Sequence, residues 1–281
     1  MTLSKVMSNG LQFDMNYEWT KSMDINSLGS QGGAVLPDSN NPSENYGLSD
    51  FDVRNHFAAN GIYALPFKRN RLVSGYRLES IFQYQTGNPV NLVASSDGYN
   101  GNSGLIRPNL LKPITRHKQQ LAGSANVGYF ANPGGENYGG AVCDLTNTTS
   151  ACVYQIVATQ ALITTPTTAC PNPGLYNAST AAVTNPCVTL TYTGLGTVQR
   201  NYGTGPGFAD LDLSGEKETK LFKGVSFILR ADAFDILNHP NYGQPSGNVQ
   251  SSTFGQITGT RFATSDGGSS RQLQISAKFL F

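Results

Sequence analysis

The chain has 281 residues, enough for one large all-β unit or for two ordinary domains. Only 13% of them are charged, 19 basic against 18 acidic for a net +1, so the basic footprint of a nucleic-acid-binding surface is absent. No stretch approaches the ~18 unbroken apolar residues of a membrane helix, and the opening MTLSKVMSNG has no apolar run of the signal-peptide kind.

Apolar residues recur instead at every second position. In GLQFDMNYEWT, Leu11, Phe13, Met15, Tyr17 and Trp19 alternate with Gln12, Asp14, Asn16, Glu18 and Thr20, which predicts a strand over 10–20. DFDVRNHFAANGIYAL sets Phe51, Val53, Phe57, Tyr63 and Leu65 against Asp52, Arg54, His56 and Asn60 and predicts a strand over 51–65, stopped by the turn chemistry of PFKRNR. GYRLESIFQYQT predicts a third over 73–87, with Tyr76, Leu78, Phe82 and Tyr84 opposite Arg77, Glu79, Gln83 and Gln85. The alternation then lapses for more than a hundred residues rich in Gly, Pro, Asn and Thr, so 88–206 reads as one long loop too Gly- and Thr-rich for a core of its own. FADLDLSG restarts it over 207–216, and EKETKLFKG reads as a short charged link. VSFILRADAF predicts a strand over 224–236, and RQLQISAKFLF a last one over 271–281.

The connections alternate in length: 21–49, 88–207 and 238–270 are long, 66–71 and 216–224 short. An antiparallel up-and-down membrane barrel has this pattern, with short turns on the periplasmic rim and long extracellular loops on the other. The fold class is therefore all-β, an antiparallel up-and-down meander of about six strands in a transmembrane barrel with long extracellular loops. Arg54, His56, Arg77, Glu79, Arg230 and Asp232 are expected to face the lumen, because a lipid-facing Arg or Lys costs ~2–4 kcal/mol. A soluble half-buried sheet would alternate in the same way. Aromatics at strand ends, Tyr17, Trp19, Tyr63, Phe279 and Phe281, favour the barrel, since they fall where its two interfacial girdles lie.

Catalytic and metal signatures are weak. His56, His117 and His239 are far apart with no HExxH, GTGPG at 203–207 lacks the Lys-Ser/Thr of a phosphate loop and reads as a flexible strand entry, and no GxSxG elbow occurs. Neither an enzyme nor a cofactor is expected.

The blocks YGLSDFDVRNHFAANGIYALPF, GYRLESIFQYQTGNPVNL, FADLDLSGEKETKLFKGVSFILRADAFDILNHPNYGQP and STFGQITGTR, closing on RQLQISAKFLF, resemble the C-terminal barrel strands of Oar-like TonB-dependent outer-membrane receptors. The resemblance covers most of 9–87 and 206–281. It implies a ligand receptor and transporter in the bacterial outer membrane, with lipid, the barrel-assembly machinery, the TonB complex and an extracellular ligand as partners. It also implies a longer parent chain carrying a signal peptide, a carboxypeptidase-regulatory-like β domain, the segment that contacts TonB and a plug, because about six strands are too few for a barrel of about 22. In such proteins the last strand is the assembly signal, here Leu273, Ile275, Ala277, Phe279 and Phe281. An exported loop makes Cys143, Cys152, Cys170 and Cys187 disulfide candidates, with three pairings open and the nearest-neighbour one favoured. A passive porin and a surface β-sheet adhesin are the alternatives, and the ligand-binding residues are unassigned.

Overall fold

The computed structural model describes residues 1–27, 38, 40–67, 70, 73–94, 106–121, 124–131, 141–143, 152–155, 158–162, 167, 188–192, 194–222, 224–249, 251, 253–261 and 270–281. Its main element is a seven-stranded sheet whose neighbours follow chain order: β1 (Thr2–Ser8), β2 (Leu11–Trp19), β3 (Asn55–Ala64), β4 (Tyr76–Gln85), β5 (Phe208–Phe222), β6 (Val225–Phe234) and β7 (Gln272–Leu280). Every adjacent pair in it is antiparallel.

Three expectations need correction. The sheet has seven strands, not six, because Thr2–Ser8 pairs with β2 across a two-residue Asn9-Gly10 turn with φ of 52° and 79°. Both central residues take positive φ, the geometry whose twist matches a hairpin and which Asn-Gly favours. A Cβ at Gly10 would lie 2.5 Å from the Ala64 carbonyl oxygen, so the turn also abuts β3. The supposed link after residue 215 is strand, since β5 runs unbroken through Glu216–Lys220 to Phe222. Conversely, β3 starts only at Asn55, leaving Phe51, Val53 and Arg54 in the preceding turn.

Because directly opposed residues share a face, the registers sort the wall completely. On one face run Tyr17, Phe57 and Tyr84 in one row, Leu211 and Phe82 in another, Phe227 beside Phe279, Leu229 beside Ala277, and Ala231 beside Ile275. The opposite face carries Gln12, Ile62, Glu79, Ser214, Asp232 and Gln274 in one row, and Arg77, Glu216, Arg230 and Ser276 in the next. Large apolar side chains on the first face stay exposed: Leu78 is 50% accessible, Trp19 67% and Ile275 77%. Tyr84 and Tyr76, eight residues apart on β4, are separated by about 26 Å along the strand, or about 20 Å along the membrane normal at a tilt of ~40°. The aromatic row Tyr17, Phe57 and Tyr84 at one end and Tyr76 at the other thus bracket an apolar band of about 20 Å, somewhat under the ~25 Å height found in outer-membrane barrels. Among the described residues no pairing joins β1 to β7.

The buried core lies outside this wall, which overturns the expectation that the long loop is too Gly- and Thr-rich to have one. Val90, Leu92, Ala94, Val127, Tyr129, Phe130, Tyr154 and Val198, all between β4 and β5, pack with Val249, Phe254 and Ile257 from the loop between β6 and β7. Small sheets stitch these segments together: Val127–Ala131 pairs with both Thr115–Gln120 and Gln256–Ile257, and Gly203–Thr204 pairs with Pro89–Val90. Tyr154 meets Phe254 edge to face at 5.0 Å between ring centres, a geometry favoured by the ring quadrupoles. GTGPG, expected as a flexible entry, is closely packed: a Cβ at Gly203 would sit 2.9 Å from the Phe130 ring.

Candidate functional site

The sheet's polar face holds a charged ladder. Arg230 Nη1 donates to Glu79 at 2.7 Å and its Nε to Asp232 at 2.8 Å, while Glu216 lies 3.7 Å from Arg230 and 3.2 Å from Arg77. Three adjacent strands supply these groups at matched register, so alternation alone sets them side by side. Beside them Asn60, Ile62, Ile81, Asp212 and Phe234 line a cavity of about 600 Å³. Carboxylates outnumber cations two to one on this face, with Asp14, Glu18, Glu79, Asp210, Asp212, Glu216, Glu218 and Asp232 against Arg77, Lys220, Arg230 and Lys278.

Of the residues singled out from sequence, Arg77, Glu79, Arg230 and Asp232 come together here, joined by Glu216 and Ser214, which had not been singled out. His56 shares the face but lies at the other end of β3, opposite Glu18 and Gln85. Arg54 precedes β3 and pairs with Asp52 at 3.2 Å. Leu273, Ile275, Ala277 and Phe279 line the apolar face of β7, every residue of which is exposed, and Phe281 follows it. Cys143 and Cys152 lie on two short parallel strands, Cys143 opposite Gln155 and Cys152 opposite Ala141. Cys170 and Cys187 lie outside the described residues.

At the rim bearing the long connections, buried polar groups fuse three loops. Arg200, its side chain 2% exposed, pairs with Asp24 and with Asp50 at 3.1 Å and donates to Ser27 Oγ at 2.6 Å. Asn201, at positive φ, donates to the Leu48 carbonyl and to Asp50. Arg107 reaches Asn45 Oδ1 at 2.5 Å and the Glu44 carbonyl at 2.9 Å. These contacts bind the β2–β3 loop to the β4–β5 loop. Burial would raise the Asp24 carboxyl, but hydrogen bonds from Ser27 and Arg200 outweigh it and hold the group below its ordinary 3.8. Burial pushes the Arg107 guanidinium down and the Tyr154 hydroxyl up.

The β6–β7 loop is anchored by the NHPNYG stretch. The amide side chain of fully buried Asn241 accepts from Ala209 N and donates to Ala209 O, both at 2.9 Å, so it pairs with β5 just beyond the end of β6 as another strand would. Asp235, also fully buried and at φ 44°, receives the turn: its amide donates to Asp212, and its carboxylate accepts from His239 N. Arg261 donates to Asn88 at 3.0 Å and stacks over Phe208, tying this loop to the β4–β5 loop.

Two adjoining hollows of about 570 and 410 Å³ lie where this loop body meets the wall, sharing Tyr84, Arg116, Tyr129 and Gly207. Tyr84 and Ala209 belong to the apolar face and Phe208 to the polar one, so the hollows lie at the strand ends, between the two faces. Among the described residues no three His, Cys, Asp or Glu side chains cluster as a metal site.

The sequence pattern of the outer membrane beta barrel domain matches residues 1–274. No curated protein matches the chain, and no solved structure does. With an exposed apolar face, a charged opposite face and a match over nearly the whole length, the chain belongs to the outer-membrane β-barrel domain family, which places it in the bacterial outer membrane as a non-catalytic domain of transport or receptor type.

Proposed function

We propose that the chain forms part of the wall and the outer loops of a TonB-dependent receptor of the Oar-like kind, which binds a ligand outside the cell and admits it with energy from the TonB complex. The observation that carries this reading is the loop body: two of the three long connections on one rim share a core, and buried arginines tie the third, between β2 and β3, to it. Pore-rim loops have no need of such rigidity, whereas a recognition surface gains from it because less ordering is required on binding. In this reading the apolar face meets lipid, and Arg77, Glu79, Arg230 and Asp232 line the lumen together with His56 at the rim. The final strand, ending on Phe281, addresses the barrel-assembly machinery, and the loop cysteines pair in the oxidising periplasm.

A passive porin is the second reading, favoured by the excess of carboxylates on the polar face, which would make an open pore cation-selective. Planar-bilayer recording of the longer parent protein and its co-purification with the periplasmic domain of TonB separate the two. A receptor gives no steady conductance and retains TonB. Steady cation-selective conductance without TonB binding overturns the receptor reading in favour of the porin.

A further inference from the structure

We propose that the cavity on the polar face of the wall binds an organic cation, an ammonium or guanidinium group carried on an apolar body. The inference rests on that face turning towards water, which the receptor and porin readings share, and not on TonB. A water-facing side of a sheet has no need of large apolar side chains, yet Ile62 and Ile81 lie on it at neighbouring positions and line the cavity with Phe234. Ile81 is left 51% exposed. Together they give a hollow of about 600 Å³ an apolar floor. That volume lies within the ~300–1,000 Å³ of small-molecule sites, which are mostly apolar with a few polar groups that orient the ligand.

Charge selects the occupant. Arg230 engages Glu79, Asp232 and Ser214 through Nη1, Nε and Nη2, so its charge is already shared between two carboxylates. Asp212, which lines the same hollow, has no such partner: one of its oxygens accepts from the Asp235 amide at 2.9 Å, and among the described residues no cation pairs with it. It sits directly opposite Ile81, so an uncompensated carboxylate stands at the edge of the apolar floor. An anion is repelled from such a place. A metal ion fits poorly, because it takes several oxygen ligands and the floor offers hydrocarbon. An organic cation meets both demands, since its charged end pairs with Asp212 while its hydrocarbon covers Ile62, Ile81 and Phe234.

The test is equilibrium dialysis of radiolabelled phenethylammonium against the full-length protein in lipid nanodiscs, with protein-free nanodiscs as the blank. Phenethyl alcohol, phenylpropionate and ethylammonium serve as the neutral, anionic and body-less counterparts. Wild type is expected to retain phenethylammonium above the blank and in preference to all three. Asp212→Asn keeps an oxygen for the Asp235 amide but removes the charge, and should weaken retention by about tenfold. Ile81→Ser, at an exposed position, should weaken it by about fivefold. Glu18→Gln removes a carboxylate of the same face outside the cavity and should leave retention unchanged. Retention no greater than the blank, as when another part of the protein fills the hollow, would overturn the proposal. So would equal retention of any counterpart, or wild-type retention in Asp212→Asn. None of these outcomes bears on TonB binding, so failure here leaves the receptor reading to its own experiment.

Discussion

Replacing Arg200 by methionine removes the cation that joins two loops while keeping an unbranched side chain of similar reach. Asp50, whose side chain is 7% exposed, then stays buried without its ion pair, and Ser27 loses a donor. Removing one partner of a buried pair costs ~3–5 kcal/mol. Asp24 is 25% exposed and can rehydrate, which favours the lower end, about 3 kcal/mol. At 1.4 kcal/mol per tenfold, amide exchange in the fused loops should speed up by about 10²-fold. The amides to follow are those of Ser49, Asp50 and Asn201, which bond to the Ser22 carbonyl, Ser27 Oγ and Asn91 Oδ1. Amides of β4 and β5 should keep wild-type protection, because no wall strand contributes to the cluster. Adding Asp50→Asn should restore part of the loss by removing the stranded charge. Unchanged exchange in the loops, or equal acceleration in loops and wall, would refute the idea that buried arginines hold the loop body as a unit of its own.

Asn241→Leu removes both hydrogen bonds to the Ala209 backbone and should cost about 1–3 kcal/mol, read as faster exchange at Ala209 and Ile236. Because the Asp24 carboxyl is held below 3.8 in the folded loops, its contribution is present above that value and lost as the pH falls through the lowered one. Pepsin cleavage of the loops should therefore accelerate below about pH 3.8 in wild type, with a shallower pH dependence in Asp24→Asn. Deleting Phe281 should lower the amount of protein reaching the outer membrane far more than Leu211→Ala does, although one interfacial aromatic is worth only ~1.5–3 kcal/mol by area; equal amounts in both would make Phe281 an ordinary girdle residue.

Wall strands were legible where alternation ran unbroken, as in β2, or was broken only at Ser80–Ile81 in β4 and Leu280 in β7, because a period of two fixes which face each residue takes. Alternation failed as a guide at Glu216–Lys220, where charges occupy both faces. Lys217 lies on the apolar side yet turns its ammonium to the Ser74 and Glu218 carbonyls and over the Tyr76 ring, a reach possible only near a rim. β1 was missed despite a legible Asn-Gly turn, since Val6 and Met7 blur its pattern and its register shifts between Lys5 and Ser8. The loop core was illegible because its members are scattered from Val90 to Ile257 with no local period. Arg107, Arg200 and Asn241 look like solvated loop residues until the partners that bury them, some 30 to 180 positions away, are known.

The two-faced wall is tested most directly by nitroxide labels placed singly at 209–217 along β5 of the protein in lipid bilayers, with accessibility measured to oxygen, which partitions into lipid, and to a water-soluble nickel chelate. Oxygen accessibility should peak at 209, 211, 213 and 215, and chelate accessibility or burial against the charged ladder should mark 210, 212, 214 and 216. A profile without period two, or one in the opposite phase with 212 and 214 exposed to lipid, would contradict the account.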